Sequence, residues 1–511
     1  MTLALGIDVG TSNAKVVLVD HDGSLLASAE RPLETVRDGD AVTQDAEALW
    51  QLVLAAAGEV LDAVPGAARA VGAVGCCSQY SSIVPVDGDG RPTAPMRTYF
   101  DRRGTQRCYD VLRDHPEAFT TWTERHGLPP VGNGLSLGHL LHILHDEPSV
   151  AAATACYLEP MDYVAARLTG APRATQATMF TAQLCDNRTL GTTDYDDDLC
   201  RLAGVPTAVL PPLLAPSDPC GVVQPEVADV LGLRHDVTVA ASMNDSHAGA
   251  LATGACTAGQ VGLMIGTTAV VLAAVDRLVV DLEHEVLSMP TPVTGTYLVW
   301  AENGVAGKAL DHVLEHIVFA DDALADHRTE DRFAALDATV ADVAPGSGGV
   351  LFLPWLAGSM APAADHRVRG AFVNLSLDTR RAELVRAVLE GIAHNAAWLL
   401  PVVESTAGAP AERVVFGGGA ARSAAWCQIL ADVLDRPVAP LLDPHHAIAR
   451  AVALAALHGV DQVAADPHGV VVRTADAYDP DPVAHAAYAP VTEQFVAAFA
   501  ALRPIYQTLN R

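Results

Sequence analysis

The chain is poor in aromatic residues and in positive charge. Phe, Trp and Tyr make up 5% of its 511 residues, and 32 Lys and Arg stand against 61 Asp and Glu, a net charge of −29. So strong a negative balance argues against nucleic acid or an anionic membrane as a partner. It also repels anionic substrates, so any phosphate site must be made favourable locally, by Mg²⁺ and backbone donors. The chain lacks a C-x-x-C pair. Its nine cysteines are scattered and odd in number, and Cys76-Cys77 falls inside an apolar run. Reduced, mostly buried thiols of a cytoplasmic protein are expected, rather than a disulfide framework or a zinc site. No cationic segment opens the chain and Asp8 interrupts its first apolar run, so no signal peptide is expected. No apolar run is long enough to span a bilayer.

Apolar residues are plentiful. They make up 50% of the chain, with only 18% charged. Ala, Val and Leu dominate, which suits helices packed on parallel-rich sheets and an α/β architecture. The length fits about three domains on average size, or two large ones.

One stretch comes twice. GIDVGTSNAKVVLVD (6–20) and GLMIGTTAVVLAAVD (262–276) agree in kind almost throughout. Gly6 matches Gly262, Gly10 matches Gly266, Thr11 matches Thr267, Ser12 matches Thr268 and Asp20 matches Asp276. Each copy reads as a strand, a Gly-Thr-Ser/Thr turn and a second strand. An offset of about half the chain predicts two domains of one architecture, 1–254 and 255–511. In the turns, glycine admits a close ligand, and N–H groups with hydroxyls make a nest for phosphate oxygens. Two facing turns would hold one polyphosphate between them. Asp8 of the first copy is Met264 in the second, so one half can hold a cation and the other cannot. The plainer alternative is two hairpins with ordinary turns.

Other segments supply candidate chemistry. An apolar strand, 70–77, ends in the polar run Ser78-Gln79-Tyr80-Ser81-Ser82, and strand ends of α/β sheets commonly carry ligand groups. Gln79, Tyr80, Tyr99 and Asp101 are suited to hydrogen-bond a polyol, or are loop residues and caps. Arg102-Arg103 reads as an ion-pairing dyad rather than a phosphate clamp. Asp245 follows the strand 237–241 and opens a small-residue helix. There it is either the helix N-cap or a general base taking a proton from a hydroxyl nucleophile. Glu302-Asn303-Gly304 predicts a turn before a helix at 304–317. Gly417-Gly418-Gly419 runs from a strand towards a helix at Ser423, which suits a flat base at a helix N-terminus or a tight turn. A last helix is expected from about Pro490.

With these motifs in view, the chain resembles the FGGY-family carbohydrate kinases, and among them the xylulose kinases most. The resemblance runs through nearly the whole chain. It rests on GIDVGTSNAK (6–15), VTQDAEALW (42–50), DGDGRPTAPMRTYFDRRG (87–104), DYVAARLTG (162–170), ASMNDSHAGALATG (241–254), GTT (266–268), PWLAG (354–358), RGAFVNLSLDTRRAELVRAVLEGIA (369–393) and FGGGAARSAAWCQILADVLDRPV (416–438). It implies two duplicated actin-like (ribonuclease H-like) domains around a cleft. Sugar would bind the first domain and ATP mainly the second. Carried over by position, Asp245 is the base and Asp8 acts through Mg²⁺. The acceptor site would comprise Gln79, Tyr80, Ser81, Tyr99, Asp101, Asn244 and Asp245. The ATP site would comprise Thr11, Ser12, Lys15, Gly266, Thr267, Thr268, Gly307, Gly418, Gly419 and Ser423. Ser81, Tyr99 and Ser246 replace the family's usual His, Trp and Asn. Ser359-Met360 replaces the Glu-Arg of a Gly-Glu-Arg-x-Pro segment, and His446 and Ala451 replace a Glu and a Gly.

The resemblance implies ATP-dependent phosphorylation of a primary hydroxyl, D-xylulose to D-xylulose 5-phosphate in the first place. Gluconate, a pentitol, a tetritol or glycerol are the alternative acceptors. A nucleotide-gated, chaperone-like protein of the actin-like superfamily is the alternative outside kinases, and the chain shows no appended peptide-binding domain in its favour. A homodimer is left open.

Overall fold

A computed structural model of the protein describes residues 2–292, 295–318, 332–461 and 472–510. The first half opens with β1 (Leu3–Val9), β2 (Asn13–Val19) and β3 (Leu25–Pro32), an antiparallel run. Helix α1 (Ala46–Asp62) follows. Asp45 caps it, its carboxylate accepting the N–H groups of Glu47 and Ala48. Then β4 (Val71–Ser78) pairs parallel to β1. Beyond it lie β5 (Gly221–Val222), β6 (Thr238–Val239) and the short β7 (Met243–Asn244), with β6 and β7 both parallel to β4. Helix α2 (Asp245–Thr253) closes the half.

The second half repeats the plan. β8 (Val261–Ile265) and β9 (Thr268–Val275) form the second hairpin. β10 (Val280–Asp281) and β11 (Val286–Pro290) lead to β12 (Tyr297–Val305), which is antiparallel to β9. Helices α3 (Gly307–Val313) and α4 (Arg381–Ala407) follow. β13 (Val414–Gly417) pairs parallel to β8, and after α5 (Ala424–Leu434) β14 (Val438–Pro440) pairs parallel to β13. Helices α6 (Ala447–Asp461) and α7 (Pro482–Leu509) complete the chain. The order β3-β2-β1-β4-β6 in one sheet thus recurs as β12-β9-β8-β13-β14 in the other. The duplication expected from the two glycine-rich stretches is a duplication of topology as well.

Each half buries one face of its sheet locally, under α1 in the first and under α4 and α5 in the second. The other two faces look at one another across a layer made by exchange. Helix α6, from the end of the chain, packs on β1 and β4 of the first sheet, and α2, from the first half, packs towards the second. Ala4, Val17, Ala248, Leu251, Leu272, Val415, Ala449 and Val452 share that one buried cluster. Two glycines of the repeat explain how close the helices come. A Cβ on Gly6 would lie 2.0 Å from the Ala449 carbonyl oxygen, and one on Gly262 would lie 2.4 Å from Thr253 Oγ1. Matched positions thus receive helices from opposite halves.

Three expectations need correction. The 302–304 segment is no turn: β12 runs through it to Val305, and Gly304, with φ +84°, accommodates a bulge at Asn303. Ladder pairing with β9 overrides the turn-like Glu-Asn-Gly composition. Helix α3 therefore begins at Gly307. The last helix starts at Pro482, with Asp481 as its cap, and carries Pro490 and Pro504 inside it. An Asp-Pro pair at 481–482 is the true start signal. All nine cysteines are free and buried, as composition suggested. Among the described residues, no helix is long and apolar enough to cross a membrane.

The contact at Gly6 is with rigid backbone, whereas that at Gly262 is with a rotatable hydroxyl. Gly6→Ala should therefore lower stability by about 1–3 kcal/mol, as overpacked cores do, and Gly262→Ala by less. Thermal melts of the two variants check the order, and equal midpoints would refute it.

Candidate active site

The first turn leaves β1 at Val9 and is closed by the Gly10 N–H donating to Asn13 O at 2.9 Å. Ser12 is exposed and Thr11 half-buried. Thr11 Oγ1 lies 3.3 Å from the Tyr99 hydroxyl, and its carbonyl accepts Gln44 Nε2 at 2.7 Å. Gln79 Nε2 in turn donates to Gln44 Oε1 at 3.0 Å. A glutamine ladder therefore ties the turn to the end of β4. The remaining amide oxygen of Gln79 is buried without a partner, which suits a hydroxyl donor from a ligand.

Register brings the acids together. Asp8 on β1 sits beside Cys77 on β4, and Asn244 on β7 sits beside Ser78 on the other flank of β4. The carboxylates of Asp8 and Asp245 thus straddle one strand end. Asn244, not Asp245, is the N-cap of α2: its side-chain oxygen accepts the His247 N–H at 2.8 Å. Capping is done by the neighbour, and Asp245 is left half-buried at the first helical position. Burial first, and the charge of Asp8 second, push Asp245 up to about 7, against the pull of the Ser246 N–H. Burial also raises Asp8, which faces Lys15 across the hairpin and takes a 3.7 Å contact from Cys77 Sγ.

Tyr80 and Tyr99 line the same space. The field of Asp245 reaches both hydroxyls, although burial does more to raise each. Ser81 adopts φ +56°, a left-handed conformation unusual for a residue with a side chain. Two buried groups hold it there: His139 Nε2 stands 3.3 Å from Ser81 O, and the Ser82 N–H donates to Glu159 Oε2 at 3.1 Å.

The second turn has both Gly266 and Thr267 exposed. The Gly266 N–H donates to Thr268 O at 2.9 Å, and Thr267 O accepts the N–H groups of Ala306 and Lys308 at the start of α3. Gly307 and Gly418 crowd against it: a Cβ on either would fall 2.1 Å from Gly266 O or 2.2 Å from Ile265 O. Gly266, Thr267, Thr268, Gly307 and Gly418 therefore form one cluster, exposed at Gly266 and Thr267 and half-buried at the other three. Gly419 faces open space beside it.

Other candidates are engaged elsewhere. Asp101 is fully buried, receiving the Val42 N–H and a two-toothed contact from Arg103. Arg103 is thus the ion-pairing residue its sequence suggested. Ser423 caps α5 and donates to Asp337 Oδ1 at 2.6 Å. Lys15 Nζ donates to the His445 carbonyl at 2.6 Å, which joins the first hairpin to the approach of α6.

Two residues of β12 escaped the sequence reading. The Trp300 ring meets Tyr80 edge-on, with centroids 6.2 Å apart. Glu302 lies near Thr268 on the neighbouring strand, and its charge reaches Asp245 and Tyr80. Burial holds Glu302 up at about 7. Asp8, Asp245 and Glu302, the polar loop and the two glycine turns thus lie together at the boundary between the halves.

Residues 3–252 match the N-terminal domain of the FGGY family of carbohydrate kinases and residues 261–460 match its C-terminal domain. The chain belongs to that family. Among its relatives, the Klebsiella pneumoniae xylulose kinase is 28% identical over 507 residues, covering 98% of this chain and 99% of the other. The gluconokinase of Bacillus subtilis is 24% identical over 450 residues, covering 85% and 83%. In fold, the protein is similar to a xylulose kinase from Brucella ovis, with a TM-score of 0.87, 24% identity and coverage of 98% and 100%. The two-domain actin-like architecture and a sugar phosphotransferase activity follow from family membership, and kinases of this family use ATP.

With Asp245 raised to about 7 beside Asp8, a role as base requires its ionised form. The kcat/KM for acceptor should then rise with pH through an acid limb near that value. A Mg²⁺ ion bound at Asp8 should move the limb down, because added positive charge favours the carboxylate. A profile flat from about pH 5 to 8 would contradict a titrating base here.

Proposed function

We propose that the protein phosphorylates a primary hydroxyl of a small ketose or polyol with ATP, and that D-xylulose, giving D-xylulose 5-phosphate, is the first acceptor to test. The observation that carries this reading is Asp245, half-buried at the head of α2, freed from capping by Asn244 and set between the polar loop and the paired turns. In this reading sugar binds the first half (1–254) through Gln79, Tyr80, Ser81, Tyr99 and Asn244. The nucleotide binds mainly the second (255–511), against Thr267, Thr268, Gly307, Gly418 and Gly419, with Thr11 and Ser12 opposite. Asp101 and Ser423 would then support the site from behind rather than touch ligand, since their polar atoms already have partners.

Asp245 takes the hydroxyl proton as the oxygen attacks the γ-phosphorus, and the bond from that phosphorus to the β,γ-bridging oxygen breaks to release ADP. Its raised affinity for a proton makes it a stronger base than an ordinary carboxylate. The exposed N–H groups and hydroxyls of the turns receive the phosphate oxygens, and charge-assisted bonds of this kind are worth about 1.5–3 kcal/mol each. Asp8 fits Mg²⁺: it is a hard oxygen donor whose one side-chain contact is the weak thiol of Cys77. A bound Mg²⁺ would neutralise phosphate charge, the main requirement of phosphoryl transfer besides positioning. Closure of the halves over sugar would keep water from the γ-phosphate. The nine buried, free thiols support a reducing compartment, the cytoplasm.

Asp245→Asn should lower kcat by about 10²–10⁴-fold while ATP still binds, as judged by calorimetry against wild type. Turnover near the wild-type level would remove Asp245 from the mechanism.

A further inference from the structure

Trp300 and Glu302 lie two residues apart on β12 and so project from the same face of the sheet. That face looks into the gap. The Trp300 ring meets that of Tyr80 edge-on, and the charge of Glu302 reaches Tyr80 and Asp245. Both side chains are half-buried rather than packed away. The second half therefore offers more to the gap than its phosphate turn. It offers an aromatic wall and a carboxylate, set opposite the polar loop of the first half.

The charge balance of the gap is informative. Asp8, Asp245 and Glu302 all face it. Of the basic side chains around the first half, Arg97 is paired with Glu147, Arg103 with Asp101, and Arg37 is stacked 4.9 Å over Phe100, which leaves Lys15, opposite Asp8, as a single positive charge against three acids. An acceptor carrying its own carboxylate would enter beside three acids before the nucleotide adds its phosphates. A neutral polyol meets no such penalty. Its hydroxyls donate to Glu302, Asp245 and the unpartnered Gln79 oxygen, and its C–H face lies on Tyr80 and Trp300. Like charges brought together in an enclosed site cost several kcal/mol, more than a lost hydroxyl contact.

We propose that Glu302, with Trp300 beside it, is a specificity-determining element of the acceptor site, and that it selects neutral ketoses and polyols by repelling sugar acids. This rests on the kinase reading above. Discrimination of this kind works through a repulsive group as much as an attractive one.

The test compares wild type, Glu302→Gln and Trp300→Phe with D-xylulose, xylitol, glycerol and gluconate. Assays run at about pH 8, where a carboxyl with a pKa of about 7 is ionised. Glutamine keeps the shape of glutamate, so Glu302→Gln should melt near wild type and keep its KM for ATP. Its preference for the best neutral acceptor over gluconate, as a ratio of kcat/KM, should fall by about tenfold or more. Trp300→Phe should raise the KM for neutral acceptors severalfold and leave that for ATP unchanged. A preference for gluconate in wild type, an unchanged ratio in Glu302→Gln, or an altered KM for ATP alone would overturn the inference. Should Glu302→Gln not fold, Trp300→Phe decides by the same split between acceptor and ATP. Calorimetric binding of each acceptor, without ATP, separates the two claims. Phosphorylation with unaltered selectivity sinks only the role of Glu302. Selective binding that Glu302→Gln relaxes, with no phosphorylation, sinks only the kinase reading. Neither binding nor turnover sinks both.

Discussion

The structure depends on two helices resting directly on strand backbone. Helix α6 approaches β1 at Gly6 and β4 at Gly75, where a Cβ would lie 2.0 Å and 2.4 Å from helix carbonyl oxygens. Helix α2 approaches β8 at Gly262. Each of these helices comes from one half and serves the sheet of the other, so neither half buries both faces of its sheet alone. The exchange also sets the chemistry. Because α2 must lie under the second sheet while its strand belongs to the first, its N-terminus falls at the boundary between them. Asp245 is its first residue.

Electrostatics follows from that placement. The strand ends that carry Asp8 and Asp245 and the strand that carries Glu302 all finish at the boundary, where water is partly excluded. Desolvation is the largest influence on each of the three acids. Among the described residues, Lys15 is the main positive charge acting on Asp8. Three carboxylates against that one lysine leave the boundary short of positive charge, in keeping with a chain whose net charge is −29. The backbone N–H groups of the two turns carry no net charge and cannot be lost to an ion pair, which fits the phosphate-receiving role proposed for them.

Substitutions in the polar loop sit within a firm frame. Ser81 holds its left-handed backbone through His139 and Glu159, both fully or nearly fully buried. The shape of the loop is thus imposed from beneath, by buried groups packed under it.

Much of this was legible in the residues. Periodic apolar strands, the Gly-Thr turns and their recurrence at half-chain spacing are local patterns, and local patterns predict local structure. They led to the duplicated sheets, the hairpins and the strand-to-helix junction at Asp245. Where the reading failed, a distant partner had overruled local composition. Glu302-Asn303-Gly304 looks like a turn, but pairing with β9 keeps it extended and turns Glu302 into the gap. Asp245 looks like a cap, but the short β7 shifts that role to Asn244. The roles of Gly6 and Gly262 belong to helices hundreds of residues away or from the preceding segment. The sequence by itself determined the elements, their duplication and the family, because these are written in spacing and residue type. Only the tertiary structure decided which helix covers which sheet, which acids share the gap and which polar groups are already spent, because those depend on contacts between segments that no local pattern records.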